Sequence, residues 1–242
     1  MFPIRDHNPS GRTPFVTMAL MGINVFVFLA MVPLYGDPYA FQNVVLQFGL
    51  IPAAPEATAF LTSMFMHGGL LHLAGNMLFL WIFGDNMEDE MGHAGFLVFY
   101  LACGVAASAA HVLSAPWSPV PMVGASGAIA GVMGGYLLMF PRARVDILII
   151  LIVFFRILPV PAWLMLMLWF GFQLLAGVGA DPMEGGVAYW AHAGGFVLGM
   201  GFALPVWLRR GGPAFWRRTA GAPPHPEGQW RRTPIPRAGR RR

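Results

Sequence analysis

Residues 15–34 contain no Asp, Glu, Lys or Arg, and neither do residues 93–113. A helix of about 20 residues is roughly 30 Å long, the thickness of a bilayer's hydrocarbon core. Uncharged apolar runs recur as far as residue 208, and they constrain the fold more than any motif does. Charged residues make up 11% of the chain and apolar residues 57%. An ordinary soluble domain is about 25% charged. A water-soluble globular fold of 242 residues could not cover so much apolar side chain with so few charges. Disorder is excluded too, since it needs low hydrophobicity and high net charge. The fold class that remains is an all-α polytopic membrane protein.

The runs predict six transmembrane helices, over residues 15–34, 70–83, 93–113, 126–140, 162–175 and 189–208. Residues 1–14 form a polar N-terminal segment, residues 15–208 the membrane domain, and residues 209–242 a basic Pro/Gly-rich tail expected to be disordered. No small-residue cleavage site follows the first run, so it reads as a span and not as a secretory signal. The fourth run is only 15 residues. At that length it covers about 22 Å, so its N-terminus must start inside the bilayer or open on a cavity. Residues 35–67 are apolar but punctuated by Pro38, Pro52 and Pro55, which suits a loop lying partly in the membrane surface. Residues 84–92 read as a tight acidic loop. Residues 145–155 are ambiguous: they either lie in the interface or add a seventh crossing.

All 15 basic residues are arginines. Arg5 and Arg12 precede the first run, Arg142 and Arg144 follow the fourth, and Arg209 and Arg210 follow the sixth. With six spans these clusters fall on one side of the membrane, which predicts cytoplasmic termini; a seventh crossing would put the C-terminal cluster outside. Exclusive use of Arg suggests a GC-rich bacterial genome, hence a bacterial inner membrane. Arginines at membrane boundaries and in a flexible terminus suit anionic lipid headgroups rather than nucleic acid, which needs a basic face on a folded domain. The single cysteine, Cys103, sits in an apolar run as a small core residue.

Polar residues inside spans are costly and therefore candidates for function. Ser126, in Gly124-Ala-Ser-Gly127, opens the short fourth run, where free helix N–H groups suit a developing oxyanion. It could equally be a helix cap. His192, in Ala-His-Ala-Gly-Gly, opens the sixth run and could take the Ser126 proton or simply bond a loop carbonyl. Gly127, Gly131 and Gly135, with Gly195 and Gly199, form small-residue stripes that let two membrane helices touch. Such packing would bring Ser126 and His192 together. His72 and Asn76 are four residues apart on one helix face, as oxyanion donors or as an inter-helix clamp. His67 reads as structural, bonding the long first loop, and Glu88 as a loop or helix-end clamp. Asp181 and Glu184 are the only acids near His192 in sequence, and neither is assigned to a triad. No HExxH occurs, so no metal is expected.

Taken in order, His67-Gly-Gly-Leu-Leu-His72-Leu-Ala-Gly-Asn76, Gly124-Ala-Ser126-Gly127 and Ala191-His192-Ala-Gly194-Gly195 resemble the rhomboid intramembrane serine proteases. The resemblance covers residues 15–208. It implies Ser126 as nucleophile and His192 as general base and acid. It implies His72, Asn76 and the Ser126 backbone N–H as the oxyanion site. It implies substrates that are transmembrane helices cut near the membrane boundary, no cofactor, and a lateral gate formed by the fifth span with residues 177–186. The alternative is an inactive rhomboid-like scaffold that binds transmembrane clients. One departure stands out. Some members carry Tyr four residues after the nucleophile, stacked on the histidine; here that position is Ala130, and the sequence names no replacement.

Overall fold

In the computed structural model, which describes residues 2–8, 10–151, 154–181 and 183–223, each apolar run becomes a helix. The main helices are α1 (Phe15–Met31), α4 (Leu70–Met91), α5 (His93–Ser114), α6 (Ser126–Met139), α7 (Ala162–Gly179) and α8 (Tyr189–Arg209). Between α1 and α4 lie the shorter α2 (Pro38–Phe48) and α3 (Ala59–Thr62). Four segments are long and apolar enough to cross a membrane: Phe15–Gly36, His93–Ser114, Ala162–Gly179 and Tyr189–Arg209. Ala59–Phe65 and Leu70–Met91 qualify together as a pair bent by 97°. The chain is thus a multi-pass helical membrane protein. At 14 residues α6 is the short helix that the sequence predicts.

Helix α6 is the axis of the bundle. Most of its side chains are buried, and it packs on α8, α5 and α4. Tyr100, Tyr136, Phe83, Phe96, Phe140 and Phe196 fill the space around it. The glycine stripes set the α6–α8 distance. A methyl group on Gly195 would overlap the Gly127 carbonyl, one on Gly199 would overlap the Gly131 backbone, and one on Gly134 would overlap the Phe196 carbonyl. Backbone therefore lies on backbone, the closest approach two helices can make.

Three stretches depart from the sequence reading. Residues 84–92 are not a loop: α4 stays helical to Met91 and turns at Gly92, where φ is +71°. Its acids are tolerated because each finds a distant partner. Asp89 accepts from the backbone N–H groups of Gly11 and Arg12, and Glu90 pairs with Arg210 at 2.7 Å. Glu88 is the helix-end clamp. Its carboxylate accepts from Val16 N (2.9 Å), Thr17 N (2.8 Å) and Thr17 Oγ1 (2.7 Å), capping α1 from another helix, and it meets His93 Nδ1 at 2.5 Å. Glu88→Gln turns an amide N–H toward those donors. It is expected to cost about 2 kcal/mol, read as earlier thermal unfolding in detergent.

Of residues 145–155, 145–151 and 154–155 belong to two antiparallel strands, β2 (Arg144–Leu151) and β3 (Phe154–Pro161), with β1 (Phe2–Asp6) antiparallel on β2, and 152–153 lie outside the described residues. The pair returns to its starting point: Arg144 pairs with Pro161, and Ala162 N donates to Ala143 O at 2.8 Å. It therefore adds no crossing, and this small sheet joins an otherwise helical fold. Asp146 anchors β1 by accepting from Arg5 (2.7 Å) and pairing with His7 (2.6 Å), contacts that hold its carboxyl below the usual range. Burial instead raises Asp6 from 3.8 to about 6, outweighing its bonds from Asn8 and Tyr136.

The signs are opposite. A depressed Asp146 loses its contribution as pH falls below its unfolded value. A raised Asp6 stabilises docking below 3.8 and weakens it as pH rises to about 6. Asp6→Asn should therefore raise the exchange protection of β1 amides at pH 7 by about tenfold, with little change at pH 4. Hydrogen exchange at the two pH values checks this.

The tail also departs from expectation in its first part. Residues 213–219 form α9 (Pro213–Thr219), with Phe215 buried and Trp216 Nε1 donating to Leu138 O at 2.9 Å. Residues 224–242 lie outside the described residues.

Candidate active site

Ser126 is the first residue of α6, so the N–H groups of that first turn have no carbonyl of a preceding helical turn to donate to. The approach to it is a backbone that only glycine takes easily. Gly124 has φ +130°, and a side chain there would meet His72 Nε2 at 2.7 Å. Gly124 N donates to Ser63 O at 2.9 Å, and an isolated bridge joins Leu50 to Met122. The long first loop is in this way laced to the strand that delivers Ser126.

His192 lies in the first turn of α8, and the glycine contacts hold that turn against the start of α6. Its Nε2 is 2.7 Å from Ser126 Oγ. Its Nδ1 is 2.8 Å from Oε1 of Gln173 on α7. Both side chains are buried, Gln173 at 5% exposure and His192 at 9%. The Trp169 ring lies 5.9 Å from the imidazole at an interplanar angle of 32°. Both ring nitrogens are thus engaged, and neither Asp181 nor Glu184 is among their partners.

Asn76 is buried, and its Nδ2 lies 2.9 Å from Nε2 of the fully buried His67. The rings of His67 and His72 sit edge to face with centroids 5.1 Å apart. The His67 carbonyl accepts from Tyr35 Oη at 3.3 Å, so His67 does bond the first loop and also fixes the Asn76 amide. A cavity of about 690 Å³ brings Ser126, His192, His72 and Asn76 together, with Trp169 and His111 in its walls and Asp181 and Glu184 on its loop. Gly127 also lines it, and Gly195 and Gly199 pack directly on the α6 backbone. Glu88 is not among the lining residues.

Sequence reasoning missed Gln173 and Trp169. The signal was available for the first: Gln173 is the sole amide in an 18-residue helix that is otherwise apolar, aromatic or glycine. Ring contact with His192 comes from Trp169 across the helix interface, not from α6, where Ala130 is buried.

The rhomboid domain profile matches residues 54–209. The chain is 32% identical over 193 residues to Rhomboid protein 1, mitochondrial, of Saccharomyces cerevisiae, covering 75% of this chain and 50% of that protein. It is 44% identical over 77 residues to the rhomboid protease GluP of Bacillus subtilis, covering 32% of this chain and 15% of GluP. It is 33% identical over 98 residues to the putative rhomboid protease YdcA of the same organism, covering 40% and 49%. The chain thus spans half or less of the length of these relatives.

Proposed function

The chain belongs to the rhomboid family, and on that footing we propose that it is an intramembrane serine endopeptidase that cuts transmembrane helices of other membrane proteins. The observation that carries the reading is the 2.7 Å contact between Ser126 Oγ and His192 Nε2 at the wall of the cavity. Ser126 Oγ attacks the scissile carbonyl carbon as its proton passes to His192 Nε2. The oxyanion that forms is met by the Ser126 N–H, by His72 and by Asn76. One amide hydrogen of Asn76 is spent on His67, and the other remains for the substrate. His192 then returns the proton to the leaving amine nitrogen, the C–N bond breaks, and an acyl-enzyme remains. Water attacks the ester carbon, gives a proton to His192, and the acid is released as Ser126 recovers its hydrogen.

The short α6 supports the same reading, because hydrolysis needs water and a recessed helix start leaves room for it. Arg5, Arg12, Arg142, Arg144, Arg209 and Arg210 support cytoplasmic termini in a bacterial inner membrane, with the cavity opening on the other side and lipid headgroups as neighbours.

The test is site-mapped labelling with a fluorophosphonate or isocoumarin, alongside cleavage of a reporter transmembrane substrate in liposomes. An adduct on Ser126 with cleavage supports the proposal. Labelling elsewhere moves the nucleophile. A folded protein with neither adduct nor cleavage is a scaffold.

A further inference from the structure

A histidine can accept the serine proton only if its Nε2 carries a lone pair, and which nitrogen carries hydrogen is set by the partner of the other. In a triad a carboxylate does this at Nδ1 and also stabilises the imidazolium. Among the described residues no carboxylate is hydrogen-bonded to His192. The group at its Nδ1 is the neutral amide oxygen of Gln173, at 2.8 Å and buried. The titratable groups facing His192 are His72 of α4 and His111 of α5; α7 carries none, and Asp181 and Glu184 lie on the cavity loop.

We infer that Gln173 is the positioning residue of this site: its Oε1 accepts the Nδ1–H of His192 and so presents Nε2 to Ser126 as a base. The inference rests on the Ser126–His192 reading and supplies the member of the relay that the sequence left unnamed. The amide oxygen accepts one hydrogen bond and cannot be protonated, so no proton passes beyond Nδ1. When Nε2 takes the serine proton, the ring's positive charge is met by an amide dipole instead of a full negative charge. A relay of this kind fixes geometry well and stabilises the imidazolium modestly.

The experiment compares wild type, Gln173→Leu and Gln173→Glu as full chains in liposomes, with kcat and KM from pH 5 to 9 and the labelling assay above. Leu keeps the bulk and removes the acceptor. It should lower kcat by about 100-fold with KM changed less than about threefold, since orientation of the base is what is lost. Glu restores an acceptor and adds charge. It should recover kcat relative to Leu and move the acid limb of the pH–rate profile upward by about one unit, because a carboxylate favours the charged ring. Nitrogen NMR of labelled histidine should show the Nδ1–H tautomer in wild type and a mixture in the Leu variant. Should Gln173→Leu fold poorly, the Glu variant and its pH limb decide alone. Wild-type adduct on Ser126 with an unshifted limb in Gln173→Glu, or with kcat within threefold in a folded Gln173→Leu, overturns this inference and leaves the dyad standing. Wild-type adduct elsewhere overturns both.

Discussion

Alanine at Ser126 or at His192 is expected to lower kcat/KM on a transmembrane substrate by at least about 10⁴-fold, and the double variant to be no worse than either single one. The reason lies in the chain of contacts. Among the described residues the base hydrogen-bonded to Ser126 Oγ is His192, whose Nε2 faces that hydroxyl at 2.7 Å. Removing either leaves a nucleophile that cannot lose its proton or a base with nothing to deprotonate, so the two losses are one loss. A factor of 10⁴ corresponds to about 5.5 kcal/mol of transition-state stabilisation, and non-additivity is the mark of residues acting as a unit. The two variants should differ in stability. Ser126→Ala removes a hydroxyl from a partly exposed helix start and should unfold like wild type. His192→Ala strips the partner from the buried Gln173 oxygen and should unfold earlier, by about 1–3 kcal/mol. Kinetics and thermal unfolding on the same preparations check both halves.

The second large effect is structural. Gly199→Ala should destabilise the bundle by about 3 kcal/mol or more and abolish cleavage. Gly201→Ala, two residues on, should change stability by less than about 0.5 kcal/mol. A methyl group at Gly199 falls on the carbonyl, Cα and carbonyl carbon of Gly131, and backbone cannot swing aside as a side chain can. At Gly201 nothing lies within 4 Å. To accept the new methyl group, α6 and α8 must separate. Gly131 and Gly199 lie one to two turns from Ser126 and His192 on the same helices, so the separation is passed to the 2.7 Å contact itself. Denaturation in mixed micelles, with cleavage measured in parallel, separates the two substitutions.

The helices were readable because their signal is local. Charge-free runs place α1, α5, α7 and α8 within a few residues, and the glycine spacing already paired α6 with α8. What escaped reading was held by distant partners. Apart from Asp146, residues 145–155 are apolar, so no periodicity separates strand from helix; residues 145–151 and 154–155 lie in β2 and β3 because β1, some 140 residues earlier, supplies an edge. The acids after Gly84 look like a loop until Val16, Thr17, Gly11 and Arg210 are found beside them. Arg, Pro and Gly around residue 215 suggest disorder, yet Phe215 and Trp216 find the base of the bundle. At the site, Ser126, His192, His72 and Asn76 announce themselves as polar letters in apolar runs. Gln173 does so as well, but its meaning depends on which helix it faces.

That placement has a mechanical consequence. The proposed nucleophile, its base and the base's anchor, Ser126, His192 and Gln173, stand on three different helices. The joint between α6 and α8 is stiff, glycine backbone against glycine backbone. The joint at Gln173 is softer: one hydrogen bond beside the side-chain ring contacts of Trp169 and Phe170 with α8, from a helix whose Leu168, Phe172 and Leu175 face outward. Sliding α7 outward by about 1 Å would stretch that 2.8 Å contact past bonding distance while leaving Ser126 and His192 in register. On that reading the fold would behave as an interlock. On the function proposed above, α7 seated would keep the base aimed, and α7 displaced to admit a client helix would leave the imidazole without its anchor.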